Sequence, residues 1–430
     1  MLRAPETQPE HASLAAAVLG GRIVELCDEL AQFSEEAGRL TCTYLTPAHR
    51  AAASQLASWM KAAGLDTSID AVGNVIGRLP CADPNAKTLI VGSHYDTVRD
   101  AGKYDGRLGI VTALVVAEEL SRRQFKLPFH LELIAFAEEE GVRFGAAYLG
   151  SRVIAGRFEP QLLMRRDASG ATFADVIASA GGNPADIPGL ARRPDDLLGY
   201  IEVHIEQGPV LLEAGLPLGI VTAIAGGARY AVSISGVAGH AGTVPMASRH
   251  DAVAAAAELT MSLETLCRNT PGLLGTVGQI NVPGGAINVV AGRCDLSLDI
   301  RSEDEGQLAR AIADVHARIA QIEQSRGVTI NVTELLRAPV VPCAESLQRR
   351  FADVLQKASI PVRHLPSGAG HDAVMFDGLV PIGMLFVRCG NGGISHNPLE
   401  TVAEADAGLA ASVLLDLLMN FQVDEFHDGR

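Results

Sequence analysis

Residues 87–137 read KTLIVGSHYDTVRDAGKYDGRLGIVTALVVAEELSRRQFKLPFHLELIAFA. Lys87 to His94 is a short apolar run rich in β-branched residues, the pattern of a strand buried on both faces. Gly106 to Arg122 predicts a helix, and His130 to Ala137 a second buried strand. Strand, helix and strand at this spacing form a βαβ unit and imply an α/β fold with a mixed, largely parallel sheet flanked by helices. Upstream, residues 12–37 and 47–64 carry helical spacing, the second with Thr46 as N-cap and Pro47 at the first helical position. Residues 156–198 have Gly-Gly and Pro-rich breaks and no clear period, and are expected to form a helix and loops over the sheet. Tyr200 to His204 is a further strand.

From about Leu218 the pattern changes. Strands are expected at 230–236, 274–282, 293–301 and 328–335, with helices at 251–266 and 303–324. That order, β-α-β-β-α-β, is the ferredoxin-like split unit. From Glu345 the chain alternates again, with a helix at 345–358, a strand at 380–387 and a helix at 403–420. The simplest architecture is one α/β domain, 1–216 and 337–430, carrying an inserted α+β domain at 217–336.

The chain has 430 residues, enough for two or three domains at roughly 150 residues each. Its formal charge is −15, from 35 Lys and Arg against 50 Asp and Glu. A uniformly acidic protein repels phosphate backbones, so nucleic acid is not an expected partner. Hydrophobic residues make up 48% and charged residues 20%, a globular composition with ample core. The longest apolar run, Leu108 to Ala117, is about half the roughly 20 residues a membrane helix needs, so no membrane partner is expected. Glu6, Glu10 and His11 precede Leu14 to Leu19, which lacks the basic flank of a signal peptide. The 7 cysteines are dispersed and read as free thiols of a cytoplasmic protein.

Four polar clusters fall at strand ends or in glycine-rich loops. His94 and Asp96 lie at the end of the first strand with i, i+2 spacing, so they share a face. Asp105-Gly106 follows in the turn before the helix, and Glu138-Glu139-Glu140-Gly141 follows the second strand. His204 to Gly208 ends a third strand, and Gly393 to Pro398 sits in a loop. Open α/β sheets place ligands at the carboxyl ends of their parallel strands. Strand and helix caps and a solvated acidic loop are the competing structural explanations. Three histidines and several carboxylates, with no cysteine among them, suit Zn²⁺ or Mn²⁺. The excess of carboxylates points to two metals about 3.5–4 Å apart sharing a carboxylate.

The segments Gly92 to Thr97, Tyr104 to Gly106, Glu138 to Gly141, His204 to Gly208, Gly239 to Thr243, Ser367 to Ala373 and Gly393 to Glu400 resemble the dinuclear-metal amidohydrolases. That family includes allantoate amidohydrolase, N-carbamoyl-L-amino-acid hydrolase and β-ureidopropionase, and is related to metallo-carboxypeptidases and aminoacylases. The motifs stand in the family's order from about residue 20 to 420. The resemblance implies a zinc-exopeptidase-like catalytic domain and an inserted lid and dimerisation domain. It also implies two divalent ions per subunit, Zn²⁺ or Mn²⁺ with Ni²⁺ or Co²⁺ also compatible. His94, Asp105, Glu140, His204 and His396 match the metal ligands, with Asp105 bridging, while Asp96 matches the residue that orients His94. Glu139 matches the general base, which must stay free to carry a proton.

In the inserted domain, His240 matches a donor to the tetrahedral oxyanion, supplied on closure and often across a homodimer. Arg301 lies opposite the buried face marked by Leu296, Leu298 and Ile300, and its planar fork suits a substrate carboxylate. Asn288 and Gln207 match positions that bind polar groups of the substrate. An exposed, salt-bridging Arg and a turn Asn are the plainer alternatives. Gly370, His371 and Asp372 sit in a glycine-rich loop, and His371 and Asp372 are read as positioning groups. His49, His130, His250, His316, His364 and His427 have no motif context and are read as structural or solvent-facing. Arg229-Tyr230 and Ser367 to Asp372 resemble allantoate amidohydrolases, and a second cation near Arg301 would help bind a substrate with two ureido arms. Pro283 to Asn288 looks closer to the carbamoyl-amino-acid hydrolases. The expected substrate is a small ureido acid, allantoate giving ureidoglycine, NH₃ and CO₂. N-carbamoyl-L-amino acid or β-ureidopropionate hydrolysis is the alternative, followed by a peptidase or aminoacylase and by a non-catalytic binding protein.

Overall fold

A computed structural model of the chain describes residues 9–423, so Glu6 and His427 lie outside the described residues. It divides into two units, Met1–Thr222 with Pro342–Leu365 and His371–Arg430, and Ala223–Val341 with Pro366–Gly370. The junctions expected at 216/217 and 336/337 therefore move to 222/223 and 341/342. The cause is the strand Leu218–Ile224, which pairs into the large sheet instead of opening the insertion.

The first unit opens with α1 (Pro9–Leu30) and α2 (Pro47–Ala62), followed by β1 (Asp66–Ile69), β2 (Val75–Leu79) and β3 (Thr88–His94). Then come α3 (Arg107–Arg122), β4 (His130–Phe136), α4 (Leu149–Ile154), α5 (Phe173–Ser179), β5 (Leu197–Ile205), α6 (Val210–Ala214) and β6 (Leu218–Ile224). α1 stops at Leu30, short of the expected residue 37, because Ser34 takes the backbone into a turn, donating to the carbonyls of Arg39 and Thr41. Thr46 caps α2 as its sequence predicts, accepting the His49 N–H.

β3 and β4 run parallel with α3 between them, the βαβ unit read from residues 87–137. β5 adds to β3 in parallel. Every residue of β3, β4 and β5 is buried, which explains their largely apolar sequences. β2 pairs with β4 antiparallel and β1 with β2, so the parallel strands are flanked by an antiparallel edge. α3 presses against this sheet where Gly109 lacks a side chain: a Cβ there would stand 2.1 Å from the Val203 carbonyl oxygen.

The second unit contains β7 (Gly226–Ser235), β8 (Gly239–His240), α7 (Ala252–Arg268), β9 (Leu273–Thr276), β10 (Ile280–Asn281), β11 (Val289–Val290), β12 (Arg293–Ser302), α8 (Glu305–Arg326) and β13 (Thr329–Ala338). The strand expected over 274–282 is interrupted and forms β9 and β10, both antiparallel to β12. The sheet runs β10-β12-β7-β13, antiparallel throughout, which is the split β-α-β-β-α-β arrangement. Ala228, Tyr230, Val232 and Ile234 of β7, with Leu296, Leu298 and Ile300 of β12, form the buried face with α7 and α8. Arg229 and Arg301 fall on the opposite face by the two-residue alternation.

The chain returns to the first unit through β14 (Val341–Pro342), α9 (Glu345–Lys357), β15 (His364–Ser367), β16 (Ile382–Val387) and α10 (Glu404–Met419). β16 lies parallel to β5, with Phe386 opposite His204, and antiparallel to β6. The order β4-β3-β5-β16 is thus a parallel core whose carboxyl ends carry the polar motifs. Among the described residues no helix is long and apolar enough to cross a membrane.

α2 delivers one consequential polar group to the core. His49 is fully buried, and burial pushes its pKa from 6.5 down to about 4. The folded protein keeps the ring neutral at pH values where the unfolded chain protonates it. This group's stabilisation is therefore complete above about pH 6.5 and is lost as the pH falls toward 4. Urea midpoints at pH 7 and pH 5 should show a wild-type loss larger by about 2 kcal/mol than that of His49→Gln. Equal losses would remove His49 from the acid response.

Candidate metal centre

The parallel strand ends and the loops beside them bring six polar residues from five segments together within the first unit. His94 ends β3, and Asp105 lies in the turn before α3. Glu139 and Glu140 follow β4, and His204 is the residue before the last of β5. His396 comes from the loop after β16, in a left-handed backbone conformation (φ 54°). Asp105 is the centre of the arrangement. Its Oδ1 lies 3.6 Å from His94 Nε2 and 3.3 Å from His204 Nε2, and these two nitrogens are 3.5 Å apart. Its Oδ2 lies 3.1 Å from His396 Nε2, which is 3.5 Å from Glu140 Oε1.

The ring orientations decide which atoms face inward. His204 Nδ1 is 2.9 Å from the Ile205 carbonyl oxygen, so it carries the proton and leaves the lone pair on Nε2, which also lies 3.2 Å from the Gly106 backbone N–H. His94 Nδ1 faces Asp96, 3.2 Å from its carbonyl oxygen and 3.4 Å from its carboxylate, which turns Nε2 inward in the same way. Two imidazole lone pairs thus converge on Asp105 Oδ1, a buried oxygen with no hydrogen-bond donor among the described residues. A buried, undonated carboxylate oxygen is costly. A cation between these three atoms satisfies all of them. The donor set, nitrogen and oxygen without sulfur, fits a divalent ion such as Zn²⁺ or Mn²⁺. Asp105, Glu140 and His396 form a second such group, as do His94, Glu139 and Glu140.

Asp96 holds both halves together. Besides facing His94, its carboxylate accepts the backbone N–H groups of Glu139 (3.0 Å) and Glu140 (3.2 Å). Asp105 is fixed in turn by Gln207 Nε2 at 2.8 Å and the Ser395 hydroxyl at 3.0 Å, both on Oδ2. Glu400 accepts the backbone N–H groups of Tyr104 and Asp105, locking the turn, and its other oxygen lies 2.9 Å from the Ser395 hydroxyl, whose single proton it shares with Asp105. Neither Ser395 nor Glu400 was assigned a role from sequence, although both lie in the quoted Gly393–Glu400 motif. The i, i+5 spacing gave no sign that they meet.

Protonation follows burial and these contacts. Burial raises Glu139 well above the ordinary carboxylate range, with Glu140 and Asp372 adding to it. Burial also raises Glu140, to about 7, with Asp105 contributing. His204 is pushed by burial down to about 4, whereas the bond to Asp105 draws His396 up to about 9. The burial cost on Asp105 is overcome chiefly by the bond from His396, and its carboxyl is held well below the usual range.

Beneath the site, His371 packs edge-on against His204 with ring centroids 4.5 Å apart. It forms a further group with Glu202 and His204. The Glu202 carboxylate is already occupied, accepting the Ser93 and Tyr200 hydroxyls and the Ala373 N–H. Asp372 accepts the Ser151 hydroxyl at 2.5 Å.

The other residues singled out from sequence, Arg229, His240, Asn288, Arg301 and Gly370, belong to the second unit. His240 is exposed on β8 opposite Val289, and the Asn288 carbonyl accepts the Ala241 N–H at 2.9 Å. Arg301 grips Asp299 through Nε (2.9 Å) and Nη2 (3.0 Å) and donates from Nη1 to the Gly368 carbonyl. Arg229 Nε reaches the same aspartate at 2.9 Å. Asp299 went unremarked in the sequence, though its i, i+2 spacing to Arg301 places it on the same face. The three surround a cavity of about 610 Å³ that also exposes Gln279, Leu274 and Leu335.

Residues 90–420 match the model of peptidase family M20/M25/M40. The chain is 38% identical to an N-carbamoyl-L-amino acid amidohydrolase of Geobacillus stearothermophilus, over 92% of this chain and 97% of the relative. It is 37% identical to an allantoate deiminase of Arabidopsis thaliana, over 96% and 84% respectively. Among solved structures, a hydantoinase/carbamoylase family amidase from Burkholderia multivorans superposes with a TM-score of 0.87 at 29% identity, covering 93% of this chain and 97% of that one.

Proposed function

The chain belongs to peptidase family M20/M25/M40 and is a hydrolase of C–N amide bonds, and from that premise we propose that it removes the terminal ureido group of a small ureido acid, allantoate foremost. The observation that carries this is the shared carboxylate of Asp105, each oxygen facing its own set of nitrogen and oxygen donors. One ion would be held by His94, His204 and Asp105, the other by Glu140, His396 and Asp105. Bound there, the pair would supply Lewis acidity, lowering the pKa of the attacking water and polarising the ureido carbonyl.

The chain's own residues then manage protons and orientation. Glu139 takes the proton of the attacking water and passes it to the leaving nitrogen. Its raised pKa suits a group that must hold a proton between the two transfers. Asp96 fixes the His94 ring and the amides of Glu139 and Glu140. Gln207 donates to Asp105, which supports a part in orienting that carboxylate besides substrate contact. His240 would donate to the oxyanion, with Asn288, Gly370 and His371 contacting polar groups of the substrate. The carbon–nitrogen bond breaks with uptake of one water, NH₃ leaves, and the carbamate loses CO₂ to leave ureidoglycine.

Arg301 is assigned the substrate carboxylate and Arg229 the second ureido arm, both beside the 610 Å³ cavity. Leu274 and Leu335 at the same cavity favour a second substrate class, N-carbamoyl-L-amino acids with apolar side chains. The inserted unit would pair two chains as a homodimer. The free cysteines suit a cytoplasmic protein.

Arg301→Ala should raise KM for ureido acids by about 10- to 100-fold, a loss of about 1.5–3 kcal/mol for a charge-assisted bond. The KM of an uncharged amide analogue should stay within about twofold. Equal effects on both would remove the carboxylate role. The function itself is tested by ammonia release from allantoate, N-carbamoyl-L-amino acids, β-ureidopropionate and N-acyl amino acids. Chelation should abolish release, and Mn²⁺ or Zn²⁺ should restore it. Activity on N-acyl amino acids alone would replace the ureido assignment with an aminoacylase.

A further inference from the structure

His49 was read from sequence as structural or solvent-facing. In the fold it meets the peptide that launches the three-carboxylate turn. β4 ends at Phe136, and Ala137 is the first residue beyond it, fully buried and without a β4 ladder partner. A buried residue must find partners for both its backbone polar atoms. Here each is met by one side chain from a distant part of the chain. Asn74 Oδ1 accepts the Ala137 N–H at 3.0 Å, and His49 Nε2 donates to the Ala137 carbonyl at 2.6 Å.

Both gripping side chains are themselves immobilised. Asn74 Nδ2 donates to Asp70 at 2.8 Å and to the Gly150 carbonyl at 3.1 Å. The His49 ring stacks on Tyr95, with centroids 4.3 Å apart and planes at 28°. The Tyr95 hydroxyl donates to the Gly73 carbonyl at 2.7 Å, beside Asn74, and lies 3.4 Å from His49 Nδ1. His49, Asn74, Tyr95 and Ala137 are all buried to 0% exposure. Tyr95 follows His94 directly, and Ala137 precedes Glu138, so one buried cluster ties together the ends of β3 and β4. Two residues on, the Glu139 amide is caught by Asp96. Glu139 is therefore fixed from both sides.

We propose that His49 and Asn74 are positioning residues for the proton carrier: by holding both backbone polar atoms of Ala137, they set where Glu139 stands over the reacting bond. This rests on Glu139 carrying the proton in the function proposed above. Neither residue touches substrate. A displacement of about 1 Å at a reacting group costs as much as 10²-fold in rate, so the clamp acts on kcat and leaves substrate affinity alone.

The test compares His49→Phe, which keeps a ring against Tyr95 but has no donor, with His49→Gln, which restores an N–H. Kinetics are measured with whichever C–N amide the wild type cleaves fastest, so failure of the ureido assignment leaves the comparison intact. His49→Phe should lose about 10- to 100-fold in kcat, with KM within about twofold and bound-metal content equal to wild type. His49→Gln should recover to within about fivefold of wild type. Asn74→Leu should show the same kcat loss, and the double variant little more than either single one, because both act on one residue, Ala137. A folded His49→Phe or Asn74→Leu with wild-type kcat overturns the proposal. So does a Gln variant as slow as the Phe variant, or additive losses in the double variant. Loss of fold in every variant also counts against it, since a structural role then accounts for them.

Discussion

Glu139→Gln should leave the metal content unchanged and lower turnover by about 10²- to 10⁴-fold, the range supplied by a positioned acid–base group. The amide is nearly isosteric with the carboxylate, and the Glu139 backbone N–H stays on Asp96. The donor sets around Asp105 that include His204 and His396 do not use Glu139. Only the capacity to take up and release a proton disappears. KM should change little, because the lost interaction belongs to the transition state. Turnover measured alongside metal content separates two failures. Loss of an ion would make Glu139 a ligand, in line with its place beside His94 and Glu140. A near-normal rate would move the base elsewhere.

Asp105→Ala should cost both ions, whereas His396→Ala should cost one. Asp105 is the sole residue common to the His94–His204 and Glu140–His396 groups. Removing it leaves two imidazoles on one side and a lone imidazole–carboxylate pair on the other. Equilibrium dialysis should show at least about a 100-fold loss of affinity at both sites, exceeding the 10- to 100-fold typical of outer-shell partners. The wild type should melt higher with ions than after chelation, by an amount set by mass action: about 4 kcal/mol at 1,000 times the dissociation constant. In Asp105→Ala that difference should vanish. Retention of one tight ion would show that the carboxylate does not bridge.

Much of this was legible because the chemistry lies at the ends of fully buried strands. The runs over Lys87–His94 and His130–Ala137 admit few other conformations, and once parallel they put His94 and the Glu138–Glu140 turn on one rim. The alternation in β12 likewise placed Arg301 opposite Leu298 and Ile300. What stayed hidden depends on contacts between segments distant in sequence. Nothing in Glu400 itself says that it caps the Tyr104–Asp105 turn nearly 300 positions away. His49 lies on a helix whose apolar spacing explains its burial but not its bond to Ala137. Asp299 could have been noticed, since it shares a face with Arg301, yet its link to Arg229 required the β7–β12 register that places them opposite one another. The domain junctions slipped because β6 stands directly before the insertion in sequence, and its place in the large sheet depends on pairing with β16, more than 150 residues away.

The central claim is that five side chains from separate strand ends and loops hold two cations around one carboxylate. Anomalous diffraction from crystals grown with Mn²⁺ tests it most directly. Two peaks about 3.5–4 Å apart are expected, one within reach of His94 and His204, the other of Glu140 and His396, with Asp105 between them. A single peak, or peaks bound by other residues, would contradict it.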